Sequence, residues 1–361
     1  MRNLPVRHLP RPPVKIAATP IGPAHRPYVI AEMSGNHNQS LERALAIVDA
    51  AAGAGADAIK LQTYTADTMT LKVDAPGFTV DDPASLWAGR HLHDLYREAY
   101  TPWEWHAPIF ERARSRGLHA FSTPFDETAV DFLESLEVPA YKIASFECTD
   151  LPLIRKVAAT GKPMIVSTGM ATLAEIDETV RAARAAGCRE LVLLKCTSTY
   201  PATPANTHLR TIPVLRQAFD CEVGLSDHTM GCGVAVAAVA LGATVLEKHF
   251  TLARADGGVD SAFSLEPAEL QALRVESERA WAALGGVVFG GSSAEQQSRT
   301  HRRSLYITQD LAPGERLTRA NLRAIRPGLG LPPKHLDELL GCAVTRAVAR
   351  GTPASWDLVR H

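Results

Sequence analysis

Apolar residues along this chain gather into short runs that end on polar or charged side chains. Eight such runs read as buried strands: Tyr28–Met33, Ala58–Thr63, His119–Phe125, Ala140–Ser145, Pro163–Gly169, Leu191–Thr197, Glu222–Asp227 and Thr244–Phe250. Between them, apolar residues recur at helical spacing. In the first helical segment Ser40 stands at the cap, and Leu41, Leu45, Val48 and Ala52 mark one stripe ahead of Gly53 and Gly55. The segments Trp103–Arg116, Asp126–Leu136, Leu151–Thr160, Leu173–Ala186, Leu209–Phe219 and Gly231–Leu241 follow, most with a glycine close behind. Pro267–Leu284 closes the series with proline in its first turn. Repeated strand–helix units build a parallel sheet, and eight of them predict a closed (β/α)8 TIM barrel.

The C-terminal mouth of such a barrel is where active sites sit, so the strand ends matter most. Here they carry Glu32, Lys60, Gln62, Thr123, Lys142, Ser145, Ser167, Lys195, Thr197, Ser226, His228, Glu247 and His249. One loop breaks the rhythm, from Tyr64 to Pro102, with Phe78, Trp87, Tyr96 and Tyr100 in it. A long insertion at the mouth predicts a substrate lid. Four segments are expected: a basic, proline-rich N-terminal arm over 1–20, the barrel over 21–285, a polar glycine-rich linker over 286–300, and a small domain of mixed or mainly β character over 301–361.

Composition removes several classes. The 361 residues are 46% hydrophobic and 21% charged, enough for a large core. A net charge of −1 gives no bulk attraction to nucleic acid or to an anionic membrane. No apolar run approaches the roughly 20 residues that span a bilayer, and the first residues, MRNLPVRHLPRPPVK, have no apolar core of a secretory signal. The six cysteines show no CxxC spacing, which predicts a reduced, cytoplasmic protein without a zinc ribbon. Cys196, in KCTSTY, reads as a small buried hydrophobe.

Two constellations point to chemistry. In GLSDHT and LEKHF, Ser226 and His228, and Glu247 and His249, stand two apart, so each pair shares a strand face. Adjacent strand ends that aim two imidazoles into one mouth suit a divalent transition metal. Lys60, Lys142, Lys195 and Lys248 lie inside apolar strands, where an unpaired ammonium is costly, so the group predicts a bound anion; strand parity turns Lys248 toward the helices. Ser145, Ser167, Thr168 and Gly169 add donors for a phosphate. A lysine Schiff base is the competing chemistry. No GxGxxG or GxxxxGK[ST] stretch occurs. The residues alone reach a metal-assisted barrel enzyme acting on a phosphorylated or carboxylated small molecule.

At IAEMSGNHNQSLERAL, YKIASFE, STGMAT, KCTSTYPA, GLSDHT, LEKHFTLAR, RRSLYI and IRPGLG the chain resembles the sialic acid synthase family. IKLQTYTADTMT, AYTPWEWH and FSTPFD look most like its pseudaminic acid synthase branch. The resemblance implies a barrel followed by an antifreeze-like (SAF) domain in a domain-swapped homodimer. It implies condensation of phosphoenolpyruvate with an open-chain N-acetylated amino sugar, a 2,4-diacetamido-2,4,6-trideoxy hexose in the pseudaminic case, with loss of phosphate by C–O cleavage. Metal ligands then fall on His228 and His249, and Mn²⁺, Co²⁺ or Mg²⁺ is the expected ion. Phosphoenolpyruvate binding falls on Lys60, Lys142, Ser145, Ser167 and Ser226, and the acidic groups near the reacting carbons on Glu32, Glu147, Glu247 and Asp260. Ser198 and Tyr200 of CTSTYPA fall beside the sugar, and Arg302 or Arg303 of the partner subunit is expected to reach it. Ser198 stands where the N-acetylneuraminate branch carries Asn, which disfavours N-acetylmannosamine as acceptor. Legionaminic or N-acetylneuraminic acid synthesis is the alternative within this chemistry, and a non-catalytic sugar-binding protein the alternative outside it.

Overall fold

The chain enters the fold through an antiparallel hairpin, β1 (Val14–Ile16) and β2 (Thr19–Ile21), in the computed structural model, which describes residues 14–360 apart from residue 84. The arm expected over 1–20 therefore gives way to ordered structure at Val14, and its residues 1–13 lie outside the described residues. The reason is local: in VKI the side chains alternate, Val14 and Ile16 turn inward, and with Ile21 they join the core of the barrel.

Eight parallel strands then close on themselves: β3 (Tyr28–Glu32), β4 (Ala58–Thr63), β5 (His119–Pro124), β6 (Tyr141–Ile143), β7 (Met164–Ser167), β8 (Leu191–Cys196), β9 (Glu222–Asp227) and β10 (Val245–His249), with β10 pairing back onto β3. The TIM barrel read from the sequence is present, and each strand lies within its expected run. The alternating helices are α1 (Leu41–Gly53), α2 (Ala66–Met69) and α3 (Leu92–Ala99) in the insertion, α4 (His106–Ser115), α5 (Glu127–Ser135), α6 (Leu151–Ala158), α7 (Leu173–Ala185), α8 (Thr211–Phe219), α9 (Gly233–Ala240) and α10 (Pro267–Leu284). Helix α1 shows why they form. Ser40 Oγ accepts from Arg43 N at 3.2 Å, and Ala44, Ile47, Val48 and Ala51 bury one face against the sheet.

Unit boundaries fall at Met1–Gly285 and Gly286–His361. The second unit pairs β11 (Ser304–Ile307) with β12 (Leu322–Ile325) around a separate core that includes Leu305, Ile307, Leu317, Leu322 and Leu358. The expected linker over 286–300 is partly helical: Ser292 and Glu295 form a capping box that opens α11 (Ser293–Gln296), and a 3₁₀ turn follows at Gln297–His301. Among the described residues no helix is long and apolar enough to cross a membrane.

Candidate active site

The barrel register brings the strand-end residues together. His249 pairs with Glu32 across β10 and β3, Glu32 with Lys60 across β3 and β4, and Glu247 with Ser226 across β10 and β9. The interior they share is charged and dry. Lys60 forms an ion pair with Glu32, donates to Thr123 Oγ1 at 3.0 Å and lies 3.8 Å from Glu247. Lys142 lies 3.4 Å from the other oxygen of Glu247, which also accepts from Ser226 Oγ at 3.1 Å. Lys60, Lys142, Glu32 and Glu247 are all buried, so any charge among them depends on its neighbours.

Electrostatics divides these groups. Burial pushes the Glu32 carboxyl up to about 7, with Lys60 pulling against it and Glu247 reinforcing it. Burial likewise resists the charge on Glu247, yet Lys142 and Lys60 hold its carboxyl below the usual value. Lys60 is raised, because Glu247 and Glu32 outweigh its desolvation, whereas burial lowers Lys142. One carboxyl is thus poised to take or give a proton near neutrality while its neighbour stays ionised.

Donors line the adjoining strand ends. Ser145 Oγ and Ser198 Oγ lie 2.7 Å apart, and the buried Ser167 Oγ has no hydrogen-bond partner among the described residues. Gly169 makes room for them: at its φ of +48° an added Cβ would sit 2.5 Å from Ser145 Cβ. An anion entering here meets two ammonium groups and several hydroxyls.

The imidazoles of His228 and His249 have ring centroids 5.3 Å apart. His228 Nδ1 is 2.8 Å from Thr197 O, while His249 Nδ1 is buried without a hydrogen-bond partner among the described residues, 3.7 Å from Asp260 Oδ2. Burial, and then the neighbouring His228, hold His249 well below the usual imidazole range and so neutral. Among the described residues no three His, Cys, Asp or Glu side chains gather closely enough to hold a metal by themselves. The pair fits a divalent ion whose shell is completed by water or substrate, and such an ion would satisfy the unpartnered nitrogen. Strand parity also holds for Lys248, which faces the helices and pairs with Asp227 at 3.1 Å.

Above the histidines opens a cavity of about 330 Å³. Glu147, Ser198, Tyr200, His249 and Asp260 line it, together with Trp87, Leu92, Leu95 and Tyr96 from the insertion. Trp87 is pinned there by its indole N–H, which donates to Val259 O at 3.0 Å, and by the ring of Tyr200 at 5.9 Å. The Glu147 carboxyl is pushed up to about 7 by burial.

Most residues singled out from the sequence therefore converge on one mouth. Arg302 and Arg303 belong to the second unit, where both are exposed. Sequence reasoning missed Ser34, whose hydroxyl donates to Asp260, and placed Cys196 in the core without its neighbour. Burial resists ionisation of that thiol most, but the hydrogen bond and charge of His228 bring it down to about 7. Ser34 has a φ of +46°, a local turn that carries little signal in the one-dimensional pattern.

Comparison with known proteins identifies the family. The NeuB family matches residues 47–289, and the SAF domain matches residues 302–360. A pseudaminic acid synthase of Campylobacter jejuni is 43% identical over 90% of this chain and 94% of its own length. One from Helicobacter pylori is 40% identical over 92% of this chain and 97% of its own. The crystal structure of an N-acetylneuraminic acid synthetase from Leptospira borgpetersenii, in complex with citrate, superposes with a TM-score of 0.71 at 30% identity, covering 80% of this chain and 95% of that one.

Proposed function

The chain belongs to the NeuB family, and from that premise we propose that it joins phosphoenolpyruvate to the open-chain form of a 2,4-diacetamido-2,4,6-trideoxy hexose, giving pseudaminic acid and phosphate. The enzyme class follows from relatives that match almost the whole chain. The observation that carries the chemistry is the pairing of Lys60 and Lys142 with Glu32 and Glu247 beside the two imidazoles. The acceptor reading is supported by the upper cavity. Its insertion wall of Trp87, Leu92, Leu95 and Tyr96 matches the methyl groups of acetamido and deoxy positions better than free hydroxyls. Synthesis of legionaminic or N-acetylneuraminic acid stays the second reading.

In this reading Lys60 and Lys142 hold the carboxylate and phosphate of phosphoenolpyruvate, and Ser145, Ser167 and Ser226 donate to them. Glu147, Ser198, Tyr200 and Asp260 position the sugar. The methylene carbon of phosphoenolpyruvate attacks the sugar aldehyde, a carbon–carbon bond forms, and the aldehyde oxygen takes a proton. The electron deficiency left at C2 is met by water, whose proton passes to Glu32, the carboxyl poised near neutrality. Collapse at C2 then breaks the C–O bond and releases phosphate. His228 and His249 would hold Mn²⁺, Co²⁺ or Mg²⁺, which when bound supplies Lewis-acid polarisation of the aldehyde.

A second copy of the chain completes this proposal. Phe146, Met170 and Met230, on loops after β6, β7 and β9, are large apolar side chains left exposed at the barrel's C-terminal face. A homodimer covering that rim would bring Arg302 or Arg303 of its second unit to the sugar. The reading is tested by incubating the protein with phosphoenolpyruvate and a panel of hexosamines, following phosphate release and product mass. Phosphate and a diacetamido nine-carbon acid are expected only with a diacetamido-trideoxy acceptor, with NMR of the product separating pseudaminic acid from its stereoisomer legionaminic acid, and with activity abolished by EDTA and restored by Mn²⁺. Turnover with N-acetylmannosamine alone would overturn the acceptor, and full turnover after exhaustive chelation would overturn the metal.

A further inference from the structure

We propose that the buried ion pair between Lys248 and Asp227 is a register clamp that positions His228 and His249 for metal binding. This rests on the metal reading above and assigns a role to two residues outside the mouth. Lys248 and Asp227 are Cα partners in the β9–β10 ladder, and each immediately precedes one of the imidazoles. Their side chains point away from the barrel interior and are 0% and 1% exposed.

The contacts of Lys248 enclose His228 from both sides along the chain. Its ammonium donates to Asp227 Oδ2 at 3.1 Å, one residue before His228, and to Thr229 O, one residue after it. Asp227 Oδ1 accepts from Thr229 N at 3.0 Å, closing the turn on itself. A single side chain on β10 thus fixes the turn that carries one imidazole, and the next residue along its own strand carries the other. Ahead of the turn, His228 Nδ1 meets Thr197 O at 2.8 Å, and behind β10, Leu265 N donates to His249 O at 2.8 Å.

Energetics favours a positional role. A fully buried ion pair is on balance no more stabilising than well-packed apolar side chains of the same volume, because desolvation offsets the attraction. Apolar residues at 227 and 248 would suit the barrel–helix boundary equally well. What they would not supply is a directional link between two strand ends at one register. A slip of one residue there would turn His249 outward. Supporting contacts of this kind typically change metal affinity by about 10- to 100-fold when removed.

Mn²⁺ titration of the metal-free protein by calorimetry tests the clamp without reference to turnover. Lys248→Met alone leaves Asp227 unpaired and is expected to lower the melting temperature. The double variant Lys248→Met with Asp227→Asn removes both charges yet keeps an acceptor for Thr229 N. It is expected to recover most of that stability while its Mn²⁺ dissociation constant stays raised about 10- to 100-fold. Asp227→Asn alone leaves the buried Lys248 ammonium without a counter-charge, and one oxygen for it and Thr229 N to share, so it too should lower the melting temperature and raise the dissociation constant. Folded variants that bind Mn²⁺ as tightly as the parent overturn the clamp while leaving the metal site intact. Absence of Mn²⁺ binding by the parent protein overturns the metal reading itself, and the clamp with it.

Discussion

Single side chains carry two measurable consequences of burial. Glu147 has its carboxyl raised from 4.5 to about 7 because the cavity disfavours its charge. The folded chain then holds a proton more tightly than the unfolded one, so this contribution to stability is complete below 4.5 and is lost as pH rises through about 7. Glu147→Gln should therefore flatten the fall in melting temperature between about pH 5 and about pH 8; equal slopes for both proteins would show that the carboxyl ionises freely. The lysines make the second case. With charge-assisted bonds worth about 1.5–3 kcal/mol each, Lys60→Met or Lys142→Met should raise the KM for phosphoenolpyruvate by roughly 10- to 100-fold in protein whose circular dichroism is unchanged. Borohydride added with substrates should trap nothing, because both ammonium groups are engaged by carboxylates; a reduced lysine adduct would revive Schiff-base chemistry.

Among the elements, the strands were the most legible part of the sequence, because an apolar run ending on a charge is what a barrel interior and its mouth require. Ala58–Thr63, Glu222–Asp227 and Pro267–Leu284 fall where the pattern placed them. The hairpin at Val14–Ile21 was not legible, since three-residue strands are too short for periodicity to separate them from an arm. The site was legible as far as strand parity reaches, which covers Glu247, His249 and Lys248. Ser34 and the neighbour of Cys196 depend on contacts between segments far apart in the chain. The insertion lies between: its aromatics marked it as functional, but only the fold shows Trp87 and Tyr96 on the cavity wall. Trp87→Ala removes the indole bond to Val259 O and frees that wall, so the KM for the sugar should rise while that for phosphoenolpyruvate stays within about twofold. Equal rises in both would place the insertion outside acceptor recognition.

For the molecule as a whole, the proposed homodimer would join two copies in one reaction. If Arg302 or Arg303 acts in trans, mixing an Arg302→Ala/Arg303→Ala subunit with a His228→Ala subunit should restore activity, since a heterodimer contains one intact barrel served by one intact second unit. Heterodimers that form and stay inactive would assign each second unit to its own barrel or to none. The reaction itself makes a sharper demand. In the proposed reaction, the paired ammonium groups and hydroxyl donors would hold phosphoenolpyruvate, with one carboxyl near neutrality, while water attacks C2. Phosphoenolpyruvate labelled with ¹⁸O in the bridge between C2 and phosphorus, incubated with the diacetamido-trideoxy hexose, tests this most directly by mass spectrometry of both products. The label is expected in the released phosphate, with an unlabelled nine-carbon keto acid; label retained in the sugar acid, or no condensation product, would contradict the account.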